Sequence, residues 1–390
     1  MTDITVSPPV DQAELEAFVP VHRRTYFMSP EDGQAWADWV PRSNVRIARR
    51  GDRMVGGASL VPMGQWFGGR TVQMTGISAV GIEPAERATG AGTVLMKEIL
   101  VELNRLRVPL SSLYPATQTV YRRCGYELAG NHIRYRLQTD HVDTRDRSLQ
   151  IELTEDREEV KKVYDEYARR TAGLLDRSED MWKRVFEPYK QEAAQAYIVV
   201  GDGGPEGYIV YHRTTGDEGF RQNMYANTVA LTPSAARRIL TFVADHRSFT
   251  QTFNWTGAPA DPFTFVLSEP RREVQLSWPW MTRIVDVESA LRERGYPIGL
   301  SAELHLKVRD DLLPSNDGDF VLRVADGKCE IERGGHSSLS IDVRGLAPLY
   351  SGYTSAHELL STGYVEGSDG DLAKASAIFA GPAPWLADFF

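Results

Sequence analysis

The residues with the clearest chemical promise lie between Ile77 and Met96, ISAVGIEPAERATGAGTVLM. This run holds Arg87-x-x-Gly90-x-Gly92 between a strand-like and a helix-like segment. Glycine lets backbone N–H groups come close to a ligand. At a helix N-terminus those groups have no intrahelical partner, and the helix dipole favours an anion. A diphosphate is the natural guest, with Arg87, Ala88, Gly90, Ala91 and Gly92 as the loop that holds it. A P-loop would end in Gly-Lys-Ser/Thr, but Gly92 is followed by Thr93 and Val94. A dinucleotide fingerprint would need glycine where Leu95 stands. A plain strand-to-helix turn is the remaining competitor.

The neighbouring elements set this loop in place. Val72 to Ile82 is the longest strand candidate and stops before Pro84. Leu95, Ile99, Leu103 and Leu106 recur at helical spacing, predicting an amphipathic helix. Upstream, Ala13 to Val21 reads as a helix, and Trp36, Trp39 and Val40 share a helical face before Pro41. Val45 to Ala48 and Met54 to Val61 read as strands, as do Pro109 to Tyr114 and the alternating Ile133, Tyr135 and Leu137. Residues 1–140 are therefore expected to form a mixed α/β domain. The polar stretch 139–148 marks a boundary.

Residues 148–286 predict a second α/β block. A strand (Leu149 to Leu153) and a helix (Glu155 to Arg170) precede a hairpin around GDGGP. Asn227 to Leu231, Pro233 and the helix Ala235 to Ala244 then repeat the strand–Pro–helix order of residues 77–106. The equivalent loop, Leu231 to Ile239, lacks Gly-x-Gly, so this block is expected to be structural. Residues 287–390 predict a third, α+β block, with strands at Ala302 to Val308, Asp319 to Val324, Lys328 to Glu332 and Ser338 to Val343.

Composition bounds the function. Of 390 residues, 42% are hydrophobic and 25% charged, which rules out global disorder. No run of 18 apolar residues predicts a membrane span, and the N-terminus lacks a secretory h-region. With 44 basic and 53 acidic residues the net charge is −9, which suits cationic ligands and argues against nucleic acid. Two cysteines, Cys124 and Cys329, and eight dispersed histidines show no metal-ligand spacing, so no metal is expected. A cytoplasmic location is the simplest expectation. Ser78 lies outside any G-x-S-x-G elbow.

The Arg87/Gly90/Gly92 loop, followed by Leu113 to Tyr126 (LYPATQTVYRRCGY), resembles the GNAT acyl-CoA N-acyltransferases. The whole chain resembles the Eis (enhanced intracellular survival) type. Further matches are Ala35-Trp36, Val40-Pro41, Ile284 to Tyr296, Leu349-Tyr350-x-Gly352 and the ending Trp385 to Phe390. The resemblance implies two tandem GNAT-like domains followed by a sterol-carrier-like α+β domain, assembled as a homo-oligomer, a hexamer. It implies acetyl-CoA as cosubstrate, with its diphosphate on the Arg87 loop and its pantetheine arm along the strand at Val80 and Ile82. Tyr121 becomes the candidate general acid. A phenol of pKa about 10 can protonate a thiolate whose thiol has a pKa of about 8.5. The α-carboxylate of Phe390 becomes the group that takes or positions the amine proton. Trp36 and Tyr26 are the candidate acceptor-pocket residues. Tyr126 reads as a packed aromatic. The acceptor is expected to be a small-molecule primary amine of polyamine, lysine or aminoglycoside type. The alternative is a non-catalytic scaffold whose third block binds an apolar small molecule.

Overall fold

The computed structural model describes residues 4–216, 220–336 and 338–390. The chain begins with β1 (Ile4–Ser7), α1 (Gln12–Tyr26), α2 (Pro30–Trp39), β2 (Val45–Arg50), β3 (Arg53–Phe67), β4 (Arg70–Ile82), α3 (Ala91–Arg105), β5 (Leu110–Leu113), α4 (Gln118–Arg122) and β6 (Glu127–Gln138). It continues with β7 (Gln150–Leu153), α5 (Arg157–Ala168), β8 (Leu175–Asp176), α6 (Glu179–Phe186), β9 (Gln195–Gly201), β10 (Gly204–Thr215), β11 (Gln222–Ala230), α7 (Pro233–Asp245), β12 (Thr250–Thr256), α8 (Pro262–Val266) and β13 (Glu273–Ile284). It ends with α9 (Val287–Glu293), β14 (Ala302–Arg309), β15 (Gly318–Ala325), β16 (Lys328–Arg333), β17 (Leu339–Asp342), α10 (Val343–Ser351), α11 (Ala356–Leu360), β18 (Val365–Gly367) and α12 (Asp369–Ile378).

The mixed α/β class follows directly. The first two blocks share one 13-stranded sheet in the order β1-β2-β3-β4-β5-β13-β6-β12-β11-β10-β9-β7, with β8 added to β3. The third block has its own five-stranded sheet, β16-β15-β14-β17-β18. The large sheet crosses residues 139–148 without a seam. Strand β13 lies antiparallel between β5 and β6, pairing Met281 with Leu113 and Trp278 with His132. In return, β6 pairs with β12 through Tyr135 and Trp255. A buried ion pair, Arg283 to Asp310 at 2.6 Å, then ties β13 to the third block.

Several elements extend past their expected ends. Helix α1 runs through Pro20 to Tyr26 rather than stopping at Val21. Its buried face of Leu15, Phe18, Val19, Val21 and His22 offsets the backbone bond that proline removes. Strand β3 passes Pro62 for a related reason. Its ladder with β2 ends at Ser59 and that with β8 starts at Gly64, so Pro62 has no strand to serve on that side. Strand β11 starts at Gln222, five residues early, because its polar residues bond inside the sheet; Thr252 Oγ1 donates to Asn223 Oδ1 at 2.6 Å. One residue of the helix pattern departs: Leu95, Ile99 and Leu103 are buried, but Leu106 is 60% exposed. It caps α3, where the helical spacing no longer applies.

Candidate active site

Strands β4 and β5 run parallel for three ladder pairs, Met74–Leu110, Thr75–Ser111 and Gly76–Ser112, and then part. Beyond this vertex β4 keeps only β3 as partner, and a bulge distorts it there. Gly57 pairs with Gly81 and Ser59 with Ser78, so Ala79 and Val80 together face one residue of β3. Ala79 takes a positive φ of 53°. The bulge turns the Val80 carbonyl to accept a 3.3 Å hydrogen bond from the Tyr26 hydroxyl. A gap between two parallel strands at their C-terminal ends is a common place for an α/β sheet to bind a ligand.

The Arg87 loop leads from β4 into α3. Buried Glu86 anchors it through ion pairs to Arg50 and Arg53. Ala88 and Gly90 both have positive φ, 62° and 90°. Gly90 is the N-cap of the 15-residue α3, and no side chain caps the helix. Its first N–H groups are therefore left for a ligand. A Cβ on Gly92 would meet nothing closer than Ile82 at 3.5 Å, so this glycine fronts open space. Arg87 is exposed and forms no ion pair among the described residues. The corresponding helix of the second block differs. Thr232 caps α7 by accepting from the Ala235 N–H at 3.1 Å, and it donates to Glu206 at 2.5 Å. A carboxylate there disfavours an anionic guest.

Tyr121 sits on α4 and is 7% exposed. Its pKa is raised, first by burial and then by the nearby Tyr26 phenol and Cys124 thiol. Its hydroxyl makes no hydrogen bond among the described residues, so the proton stays on oxygen and is uncommitted. Tyr126, fully buried, shares a 2.7 Å hydrogen bond with Ser111 and is a core aromatic. Burial also pushes the Cys124 thiol up to about 11, which leaves it inert. On the other wall, Tyr26 and Trp36 meet through His22, with ring centroids 5.1 Å and 4.3 Å from it. Tyr26, Val80 and Tyr121 are thus gathered around one cleft, with Trp36 behind Tyr26.

The tail reaches the same vertex from the third block. Trp385 donates its N–H to Ala172 at 3.0 Å, and Leu386 donates to Asn131 at 3.1 Å. His132 Nδ1 donates to the Leu386 carbonyl at 3.0 Å, and burial lowers this histidine to about 4, so the ring is neutral. The Tyr114 hydroxyl donates to the Asp388 carbonyl at 2.8 Å. Arg177 and Asp388 form an ion pair whose side chains are 0% and 8% exposed. Arg184 donates to the Phe389 carbonyl at 3.3 Å. Phe390 then packs directly on Gly76, where a Cβ would lie 2.6 Å from its ring. Its α-carboxylate forms no ion pair and accepts no hydrogen bond among the described residues.

Tyr114, His132, Arg177 and Arg184 were not anticipated as tail partners. Tyr114 stands inside the LYPATQTVYRRCGY element, which is a usable signal. Arg177 lies 211 positions from Asp388, and only the fold could pair them.

Known proteins share this domain order. A family profile for the acetyltransferase (GNAT) domain matches residues 8–129, and a second for that domain matches residues 173–284. A sterol carrier protein domain profile matches residues 287–387. A GCN5-related N-acetyltransferase from Anabaena variabilis, known from its crystal structure, is 35% identical, with 100% of both chains covered and a TM-score of 0.94. The chain belongs to the GCN5-related N-acetyltransferase family. An uncharacterized N-acetyltransferase of Streptomyces griseus is 29% identical over 353 residues, 83% of each chain. Eis1 from Mycobacterium abscessus, 22% identical with 100% of both chains covered and a TM-score of 0.82, shares the fold. This GCN5-related N-acetyltransferase thus has the Eis-like order of two GNAT domains and a sterol-carrier domain. Its GNAT domains imply use of acetyl-CoA and a small-molecule acceptor. Among the described residues no group of three or more His, Cys, Asp or Glu is placed to hold a metal ion. Among the described residues no helix is long and apolar enough to cross a membrane.

Proposed function

We propose that the protein moves the acetyl group of acetyl-CoA directly to a primary amine, through a tetrahedral intermediate. The observations that support it are the unpaired span of β4 beyond Gly76 with Tyr26 and Tyr121 beside it, the uncapped α3 that follows, and Phe390 packed on Gly76. The α3 N-terminus, with Arg87, Ala88, Gly90, Ala91 and Gly92, would hold the diphosphate. The β4 backbone at Val80 and Ile82 would line the pantetheine arm. One ammonium proton passes to the Phe390 carboxylate, and the freed amine attacks the thioester carbon to form the nitrogen–carbon bond. The carbon–sulfur bond then breaks as sulfur takes the Tyr121 proton, and the second proton shed by nitrogen returns to the Tyr121 oxygen. Tyr26 and Trp36 would wall the acceptor.

In this reading residues 1–140 are the catalytic unit, residues 148–286 bind no CoA, and residues 287–390 deliver the chain end. The carboxylate at Glu206 beside the α7 N-terminus supports the second assignment. The test is thiol release from acetyl-CoA over a panel of polyamines, lysine and aminoglycosides. Tyr121→Phe is expected to lower kcat about a hundredfold, the scale of general acid catalysis. Adding glycine after Phe390 is expected to abolish turnover; an extended protein with unchanged kcat would remove the carboxylate from the mechanism. No turnover on any amine, with no heat of CoA binding, would leave the lipid-binding scaffold as the better reading. A homo-hexamer is the proposed assembly, checked by light scattering.

A further inference from the structure

A cavity of about 300 Å³ lies between α6, strands β6, β10, β11 and β12, and the tail at Ala387 to Phe389. It sits where β11 and β12 part, just past their last ladder pair, Ala226–Trp255. It is thus the counterpart, in the second block, of the β4/β5 cleft. Its volume is that of a small-ligand site.

Its electrostatics run opposite to those expected for an amine. Two guanidiniums line it, Arg134 from β6 and Arg184 from α6. Half-buried Arg134 forms no ion pair and no hydrogen bond among the described residues. Arg184 has the 3.3 Å contact with the Phe389 carbonyl and stacks on Trp39 at 4.4 Å. Burial works against its charge, offset in part by Asp180 and Asp388. The one carboxylate side chain among the lining residues is Asp388, and Arg177 already neutralises it. His212, held below its ordinary pKa by burial, stacks on Tyr225 at 5.7 Å and adds no fixed charge. The Asn254 amide is committed within the sheet: it donates to Met224 and Thr252 and accepts from Arg136. The cavity therefore carries two positive charges, Arg134 with no carboxylate partner among the described residues and Arg184 only partly offset by Asp180 and Asp388.

A half-buried cation with no partner is costly. A guanidinium fork matches a carboxylate or phosphate best. We infer that this cavity is a second binding site, for a small molecule bearing a carboxylate or phosphate. The two arginines exclude the acceptor's ammonium. Two sources share the required chemistry: an anionic group on the acceptor itself, or a separate effector. Either would touch Phe389, and so the segment that sets Phe390. The effect on turnover rests on the acetyltransfer reading; the binding does not.

The experiment is a calorimetric titration of the full chain with inorganic phosphate and with succinate, at fixed ionic strength. Saturable binding is expected, weakened about tenfold in Arg134→Gln and partly restored in Arg134→Lys. Equal heats in wild type and Arg134→Gln, or no saturable heat with either anion, would overturn the site. A circular dichroism melt checks that the variant is folded, and Arg184→Gln in the same titration serves if it is not. Turnover then separates the sources. If the acceptor supplies the anion, Arg134→Gln raises KM for lysine but not for cadaverine. With a separate effector, phosphate alters kcat on cadaverine in wild type and not in Arg134→Gln. Because the titration needs no turnover, failure of acetyl transfer and failure of this site are distinguishable.

Discussion

Arg177 Nε lies 3.1 Å from each carboxylate oxygen of Asp388, two residues before Phe390. The guanidinium also lies over the rings of Tyr164, at 4.0 Å, and Trp182, at 4.6 Å. The second block, which lacks the glycine loop, therefore grips the tail just before it enters the first block's cleft.

Arg177→Met leaves Asp388 buried and unpaired, a loss of about 3–5 kcal/mol. Thermal denaturation should show it as a lower Tm. The double variant Arg177→Met/Asp388→Leu should recover much of that stability, because an apolar pair can replace a buried ion pair. It should not recover kcat, because the tail no longer has one defined path. KM for acetyl-CoA should change little in either variant, since the Arg87 loop is untouched. Recovery of kcat along with Tm would assign the pair to stability alone.

Gly76→Ala places a Cβ 2.6 Å from the Phe390 ring and 2.8 Å from Met63. The end of the tail is the softest of these groups and should move first. Turnover is expected to fall steeply while Tm drops by only a few degrees, the scale of about 1 kcal/mol in a protein of this size. Steady-state kinetics beside a melting curve checks both. Normal kcat in Gly76→Ala would mean that the position of Phe390 does not matter.

The two loop glycines should behave differently. Gly90 has a φ of 90°, so Gly90→Ala strains the backbone by about 1 kcal/mol. Gly92→Ala fits the free protein, its Cβ touching only Ile82 at 3.5 Å. Its expected effect is on KM for acetyl-CoA, with Tm unchanged, because the added methyl stands where the diphosphate should approach. Unchanged KM would move the diphosphate elsewhere.

Stability should decline on mild acidification. Burial lowers His22 and His132 to about 4 from an ordinary 6.5. Between those values the unfolded chain binds protons that the folded chain does not, so stability falls as pH drops from 6.5 towards 4. Each histidine can contribute at most about 3 kcal/mol to that slope. His132→Gln should flatten the curve in urea denaturation at pH 4.5 against pH 7. A slope identical to wild type would show that His132 takes up its proton without releasing the tail.

The sequence was most readable where structure is local. Arg87 to Gly92 lies between a strand and a helix as its residue types demand, and Leu95, Ile99 and Leu103 face the core at the spacing that announces them. Pro62 cut the expected strand short at Val61 for a physical reason. Proline opposes strands locally, but the gap beside β3 leaves it no ladder bond to break on that side. The exchange of β6 and β13 left no local trace, because ladder partners are chosen across the whole chain. The tail's grip was equally silent: no pattern near Asp388 points to Arg177.

The interleaved sheet has a consequence for how the protein is made. Until residue 284 has emerged, β5 and β6 lack the strand that separates them, and their backbone groups face solvent. Such open edges invite pairing with other chains. Contacts spanning this much sequence also form slowly. The nascent first block therefore carries unpaired strand edges, and its sheet can be completed only after most of the chain has left the ribosome.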